Sequence, residues 1–282
     1  MKKIIALALA TVMCVASLTA CGNAASTEAT ESATGAATAT TEAASTEATG
    51  EKDVWVIGTN AEFPPFEYVG DDGQPDGFDI ALIKAIGEKM GMEVEIQNME
   101  FASLVAAIGT KIDASIAGMT VTEERQQAVD FSDNYYEAVQ YVVVAADSDL
   151  AAAATAGTAT AADLENKKIG VQLGTTGNFI ADEIAGAEVS AYNKAVDAVN
   201  DLINGRVELV IIDKNPAEVF NSKFEGQLAL IEGSVFAFEP EFYAIALPKG
   251  SDMVEKVNAA LAELKADGTF DALVAEYIEG AE

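Results

Sequence analysis

From residue 54 onward the chain alternates apolar runs of strand length with amphipathic stretches of helical period, in two successive series. The first series reads as a strand at 54–57, a helix opening at Asp79, a strand at 94–96, a helix from Ser103 and a strand at 112–117. Ile80, Leu82, Ile83, Ile86 and Met90 recur at helical spacing, between an N-cap residue (Asp79) and a terminator (Gly91). The second series reads as a strand at 168–172, helices at 178–184 and 195–204, and a buried-type strand at 207–212. Asn215-Pro216-Ala217-Glu218 has the form of a capping box with Pro at the first helical position, and helices from Ser251 and Thr269 end the chain. Strands alternating with helices predict parallel sheets covered on both faces, and two series predict two lobes. The Ala/Thr-rich stretch 151–162 reads as a surface excursion. Ligands of such sheets bind at the carboxyl ends of the strands, so the crevice between the lobes is the expected site.

Composition narrows the chemistry. Lys plus Arg number 16 and Asp plus Glu 46, a net charge of −30, so a phosphate backbone is repelled and nucleic acid is excluded as a partner. There is no histidine, which removes Ser-His-Asp, Cys-His and H-E-x-x-H chemistry. The two cysteines, Cys14 and Cys21, lie near the N-terminus, so the folded body has no disulfide, thiol nucleophile or thiolate metal site. The loop 71–77 is rich in Asp and Gly but lacks the calcium-loop spacing and distal Glu, so a turn is expected. No catalytic residue, metal or cofactor is expected.

Lys2 and Lys3 precede an apolar run at 4–18 and the small residues Thr19 and Ala20, the layout of a secretory signal. The run is shorter than the roughly 20 residues that span a bilayer. Leu18-Thr19-Ala20-Cys21 resembles the bacterial lipobox, which implies a signal peptide over 1–20 and a lipid on Cys21. Residues 21–52 are then a tether of Ala, Ser, Thr, Gly and Glu, too poor in apolar surface to offset the entropy of ordering.

The segments GTNAEFPPFEY (58–68), GFDIALIKAIGEKMG (77–91), MEFASLVAAI (99–108), IAGMTVTEERQQAVDFSDNYY (116–136), GVQLGTTGN (170–178) and ELVIID (208–213) follow one another in an informative order. This order resembles that of bacterial extracellular solute-binding proteins for polar amino acids. The resemblance implies a two-lobed periplasmic-binding-protein fold of α/β class: two mostly parallel sheets flanked by helices and joined by a two-stranded hinge. The first lobe would comprise 53–138 and 243–282, the second 142–239, and FYAIALPKGS (242–251) would be the return strand.

The residue chemistry agrees. Thr120-Val121-Thr122-Glu123 fits a capping box, which puts Arg125 in a first helical turn, where a cation opposes the helix dipole. It either faces solvent beside Glu123 or Glu124, or traps a carboxylate with its planar fork. The resemblance implies the second, with Thr120 assisting and with Thr175 and Thr176, of the turn 174–177, completing the carboxylate site. Asp213 would hold the ligand ammonium, where the local alternative is an N-cap. Phe63 and Phe101 would flank the ligand side chain, where the local alternative is core packing. Asn60, Gly118 and Gln172 would complete the pocket. Tyr135 and Tyr136 are expected to pack near the interlobe crossing.

The implied protein is a monomeric receptor on the outer face of the cell membrane or in the periplasm, lipid-anchored, passing an amino acid to an ABC permease. The alternative is an enzyme on the same fold, of the cyclohexadienyl-dehydratase kind, which needs a positioned acid or base. Gln172 and Leu173 cannot titrate, and Glu62 is expected to point to solvent from a strand-end turn. Relatives for cationic ligands often carry an acid where Asn60 stands, so glutamine, or a neutral polar amino acid such as cystine, is favoured over arginine or lysine. For the anchor, intact-mass analysis of the membrane fraction should find a mature chain that begins at acylated Cys21. A chain beginning near Glu51 without lipid would refute it.

Overall fold

The computed structural model describes residues 53–281; the segments expected to be a signal peptide and a tether, and the expected lipidation site Cys21, lie outside the described residues. In chain order the first half runs β1 (Val54–Thr59), β2 (Glu62–Phe63), β3 (Glu67–Val69), β4 (Pro75–Asp76), α1 (Phe78–Met90), β5 (Glu93–Asn98), α2 (Leu104–Ala107), β6 (Ala114–Ser115), α3 (Glu123–Ala128) and β7 (Val129–Phe131). β8 (Tyr136–Ala138) then leads into β9 (Gln140–Ala145), α4 (Asp149–Thr155), β10 (Lys168–Gln172), α5 (Thr176–Glu183), β11 (Glu188–Tyr192), α6 (Ala195–Ile203), β12 (Leu209–Asp213), α7 (Lys214–Lys223) and β13 (Leu228–Glu232). The return is β14 (Glu241–Tyr243) and β15 (Ala246–Pro248), followed by α8 (Met253–Ala266) and α9 (Thr269–Leu273).

These strands build two five-stranded sheets, ordered β5-β1-β6-β15-β7 and β11-β10-β12-β9-β13. In each sheet only the fourth strand is antiparallel to its neighbours. The reversed strands, β9 and β15, are the two that the chain enters on crossing between lobes. The crossing itself is the antiparallel pair β8–β14, with Glu241 opposite Ala138 and Tyr243 opposite Tyr136. The fold is thus α/β and two-lobed, with two mostly parallel sheets joined by a two-stranded hinge. β12 is buried along its whole length, as a central strand covered on both faces requires.

α1 buries Leu82, Ile83 and Ile86 completely, each contributing about 1.5–3 kcal/mol of apolar burial. It ends at Gly91, in the left-handed conformation, as the sequence predicts. Its start differs. The cap is Gly77, with φ 119°, where a Cβ would collide with the Phe66 carbonyl, so no side chain can cap this helix. Asp79 lies inside the first turn, fully buried, and its Oδ2 accepts from the Gly118 N–H (2.7 Å) and the Tyr135 hydroxyl (2.9 Å). Burial pushes its carboxyl up to about 6 against the pull of those two bonds. Glu67, also fully buried, is pushed well above the usual range by burial and then by the Asp79 charge.

Three further expectations are corrected. The cap of α3 is Thr122, whose hydroxyl accepts from the Arg125 N–H (3.1 Å), and this leaves Thr120 outside the helix. α7 begins at Lys214, ahead of the 215–218 capping box, with Asp213 at the cap position but making no side-chain cap bond. The stretch 151–162 is no simple excursion: Ser148 caps α4, and Ala151 and Leu164 are buried in the second lobe. Among the described residues no helix is long and apolar enough to cross a membrane.

The buried role of Asp79 is measurable. An exposed N-cap replaced by Ala costs about 1 kcal/mol, whereas Asp79→Ala leaves two donors unpaired and should cost about 2–5 kcal/mol. Urea unfolding of the variant checks this, and a loss near the cap value would refute the buried role.

Candidate functional site

The carboxyl ends of the parallel strands in the two sheets face each other, and the candidate residues sit there. Asn60 follows β1, Phe101 follows β5, and Gly118 follows β6; Gln172 and Asp213 end β10 and β12. Thr175 caps α5 by accepting from the Asn178 N–H (3.2 Å), which sets Thr176 at the first helical position. The structure brings Asn60, Phe63, Phe101, Gly118, Thr120, Arg125, Gln172, Thr175, Thr176 and Asp213 together around one cleft, with Ala117 as an eleventh wall residue. The cleft encloses only about 10 Å³, so the lobes are drawn together.

Arg125 is 6% exposed. Its Nη1 donates to the Thr120 carbonyl (2.6 Å), and its Nη2 crosses the cleft to the Gly174 carbonyl (3.0 Å). The guanidinium carbon lies 5.4 Å from the Phe101 ring centre and 5.9 Å from that of Phe179. Among the described residues no carboxylate lies within ion-pair distance of it, so the solvent-facing arrangement beside Glu123 or Glu124 is not adopted. Burial lowers its pKa, opposed first by the charge of Glu241 and then by that of Asp213. A fork with five donors keeps capacity for an anion after giving two bonds to carbonyls.

Asp213, facing it from the second lobe, is 7% exposed and accepts from the Tyr243 hydroxyl (2.6 Å). Burial raises its pKa to about 7, the Glu241 charge adds to the rise, and bonds from Tyr243 and Gln140 oppose it. Glu241 itself stands on the hinge strand β14. Its Oε2 accepts from Thr120 Oγ1 (2.8 Å), Thr176 Oγ1 (2.7 Å) and Gln140 Nε2 (3.3 Å). Glu241, Gln140 and Tyr243 escape the sequence reading. The return segment 242–251 is visible as a strand, but neither periodicity nor spacing marks which of its residues turn into the cleft.

At the far end of the cleft Gln172 Nε2 donates to Asn60 Oδ1 (2.8 Å) from lobe to lobe, and Asn60 Nδ2 donates to the Met99 carbonyl (2.9 Å). Glu62 does not simply face solvent; it pairs with Lys194 of the second lobe at 2.6 Å. Both line a wider recess of about 700 Å³ beside Asn60. Gly118 has φ 51°, and a Cβ there would stand 3.1 Å from the Phe63 ring, so glycine suits this wall. Phe63 and Phe101 serve both cleft and core, being buried while lining the site. Tyr136 donates across the crossing to Asn215 Oδ1 (3.0 Å), and Tyr135 to Asp79; neither lines the cleft. The loop 71–77 forms the turn after β3, the short strand β4 and the cap of α1, and the described residues hold no cluster of metal-ligand side chains.

A two-lobed α/β fold whose strand ends meet at one cleft, holding a buried guanidinium and a buried carboxyl, has the architecture of small-solute-binding proteins. Residues 55–280 match the family of bacterial extracellular solute-binding proteins, family 3, and the chain belongs to that family. It is 35% identical over 237 residues to the arginine-binding extracellular protein ArtP of Bacillus subtilis, covering 82% of this chain and 88% of that one. The L-cystine-binding protein TcyJ of Escherichia coli is 30% identical over 227 residues, covering 79% of this chain and 82% of its own length. Among solved structures, an ancestral arginine-binding protein bound to glutamine is 37% identical with a TM-score of 0.73, covering 81% of this chain and 99% of its own. An ancestral arginine-binding protein bound to arginine gives equal identity and TM-score over 80% of this chain and 99% of its own.

The pH response of Asp213 follows from its surroundings. Its carboxyl titrates near 3.8 in an unfolded chain and at about 7 when folded, so the folded state holds the proton between these values. Stability therefore falls as pH rises from about 4 to 7, by about 2–4 kcal/mol for this group. Asp213→Asn removes that loss. Its stability relative to the native chain should rise across this window in denaturation curves, and a constant difference would refute the assignment.

Proposed function

We propose that the protein is a lipid-anchored extracytoplasmic receptor that closes its lobes, 53–138 with 243–282 and 142–239, on one polar amino acid. It delivers that amino acid to an ABC importer and acts as a monomer. The reading is carried by one observation: a buried guanidinium without a carboxylate partner, opposite a buried Asp213 whose ionised form is disfavoured. An α-amino acid brings the missing anion and cation on a single carbon. Its carboxylate goes to Arg125 with Thr120, Thr175 and Thr176. Its ammonium goes to Asp213, and the charge it brings offsets the desolvation that holds this carboxyl near 7. Phe63 and Phe101 flank the side chain, and Gly118 lets the ligand approach the backbone.

The amide pair Asn60–Gln172 supports glutamine or another neutral polar side chain, because amides both donate and accept. A second reading, arginine, is favoured by the position of Glu62 at the recess beside Asn60, where it would exchange Lys194 for a guanidinium. The names of several relatives support the same reading. The receptor carries out no reaction on its ligand; steady turnover of prephenate would overturn that part.

Calorimetry against the twenty amino acids and cystine tests the proposal. Arg125→Ala and Asp213→Ala should each lose about 2–5 kcal/mol of binding, and less than a tenfold loss would place the anchor elsewhere. Glu62→Gln decides the ligand: it should leave glutamine binding unchanged if glutamine is native, and should weaken arginine at least tenfold if arginine is.

A further inference from the structure

We infer that Glu67 and Asp79 hold one proton between them, and that this pair positions the cleft wall formed by Phe63 and Gly118. Both side chains are fully buried and lie within hydrogen-bonding reach of each other. Asp79 Oδ2 receives the Gly118 N–H (2.7 Å) and the Tyr135 hydroxyl (2.9 Å). The other three oxygens, Oδ1 of Asp79 and Oε1 and Oε2 of Glu67, are buried and receive no donor from the described residues. Two carboxylates this close cannot both stay ionised away from water, and among the described residues no Lys or Arg pairs with either. A proton on Glu67 answers both difficulties: it removes one charge and supplies the donor that Asp79 Oδ1 lacks. Asp79 keeps the charge because two donors already stabilise it, whereas Glu67 has none.

The pair stands directly behind the site. Glu67 lies opposite Phe63 in the β2–β3 ladder, and Asp79 holds the N–H of Gly118, so the pair joins the two backbones that carry these wall residues. A charged acceptor holds an N–H roughly twice as strongly as a neutral one. By leaving the charge on Asp79, the proton on Glu67 therefore keeps the Gly118 turn at its φ of 51° against the Phe63 ring. The surrounding groups leave this arrangement intact. Tyr135 is itself a donor to Asp79, and the charge of Asp213, which is held by Tyr243, comes last among the influences that raise Glu67. On the flanking strands Glu62 turns to Lys194 and Asp76 to the Gly77 N–H. Lys84, Glu88 and Lys89 on α1, Glu263 on α8 and Asp271 on α9 are exposed.

The effect on binding rests on the amino-acid reading, whereas the shared proton does not, and the two are read separately. Full chains carrying Glu67→Gln or Glu67→Met are compared with the native chain by denaturant unfolding from pH 6 to pH 8. The same three are compared by calorimetry against the twenty amino acids and cystine. Gln donates to Asp79 at every pH, as protonated Glu67 does, and Met has no donor. Glu67 in the unfolded chain has lost its proton by pH 6, while the folded chain retains it. The native folding constant should therefore fall relative to that of Glu67→Gln as pH rises, by up to about tenfold per pH unit. At neutral pH Glu67→Gln should bind the native ligand within about twofold of the native chain. Glu67→Met should bind it about fivefold more weakly, because Asp79 then takes the proton itself and holds Gly118 as a neutral acceptor. Parallel pH responses in the native and Gln chains would overturn the shared proton. Equal binding by the Gln and Met variants would overturn the positioning role. A native chain that binds none of the amino acids, alongside the expected pH response, would refute the amino-acid reading while supporting the shared proton.

Discussion

Arg125 and Asp213 are buried in the same cleft without being each other's partner. Burying an unpaired charge is expensive, and a chain tolerates it only where the rest of the fold compensates or a ligand completes the pairing. Here the compensation is visible and partial. Arg125 leans on two backbone carbonyls and two aromatic rings, while Asp213 has support from Tyr243 and Gln140 and a carboxyl that resists ionisation. The chain belongs to a family of solute-binding proteins, and a site that is electrostatically unfinished is what a receptor for a zwitterion requires.

The topology makes this arrangement possible. Parallel strands expose their carboxyl ends at one edge, where loops and helix starts are free of the sheet's own hydrogen bonding. Two such edges face each other because the chain crosses twice through β8 and β14 and enters each opposite sheet as its single reversed strand. The crossing pair also carries two residues that bond to side chains of the site, Glu241 to Thr120 and Thr176 and Tyr243 to Asp213. The strands that join the lobes and the site therefore share hydrogen bonds.

Behind the cleft lies a second acidic layer. Asp79 ties α1 to Gly118 and Tyr135, and Glu67 sits buried beside it. Burial disfavours the charged form of both, and their mutual repulsion adds to that effect on Glu67. The bond to the Gly118 N–H fixes the left-handed turn that forms one wall of the site. An acid placed so deep makes sense as a brace for the backbone around the ligand, and less as a surface feature of a very acidic protein.

Much of this was legible in the residues. The alternation of periods gave the two α/β series, Gly91 marked the end of α1, and 168–172 was read as a strand with its observed bounds. The family motifs carried ten residues that the structure gathers around one cleft. Local signals misled where a short polar residue could serve either a helix end or a distant partner: Asp79 looked like a cap and is a buried acceptor, and Asp213 holds a cap position without capping. Glu241, Gln140 and Tyr243 were invisible for the same reason. Helical and strand periods report which face of an element is buried, over a few residues. Whether a carboxylate at 241 meets hydroxyls at 120 and 176 depends on how three distant segments are brought together, and only the crossing of the hinge and the packing of the two sheets decide that.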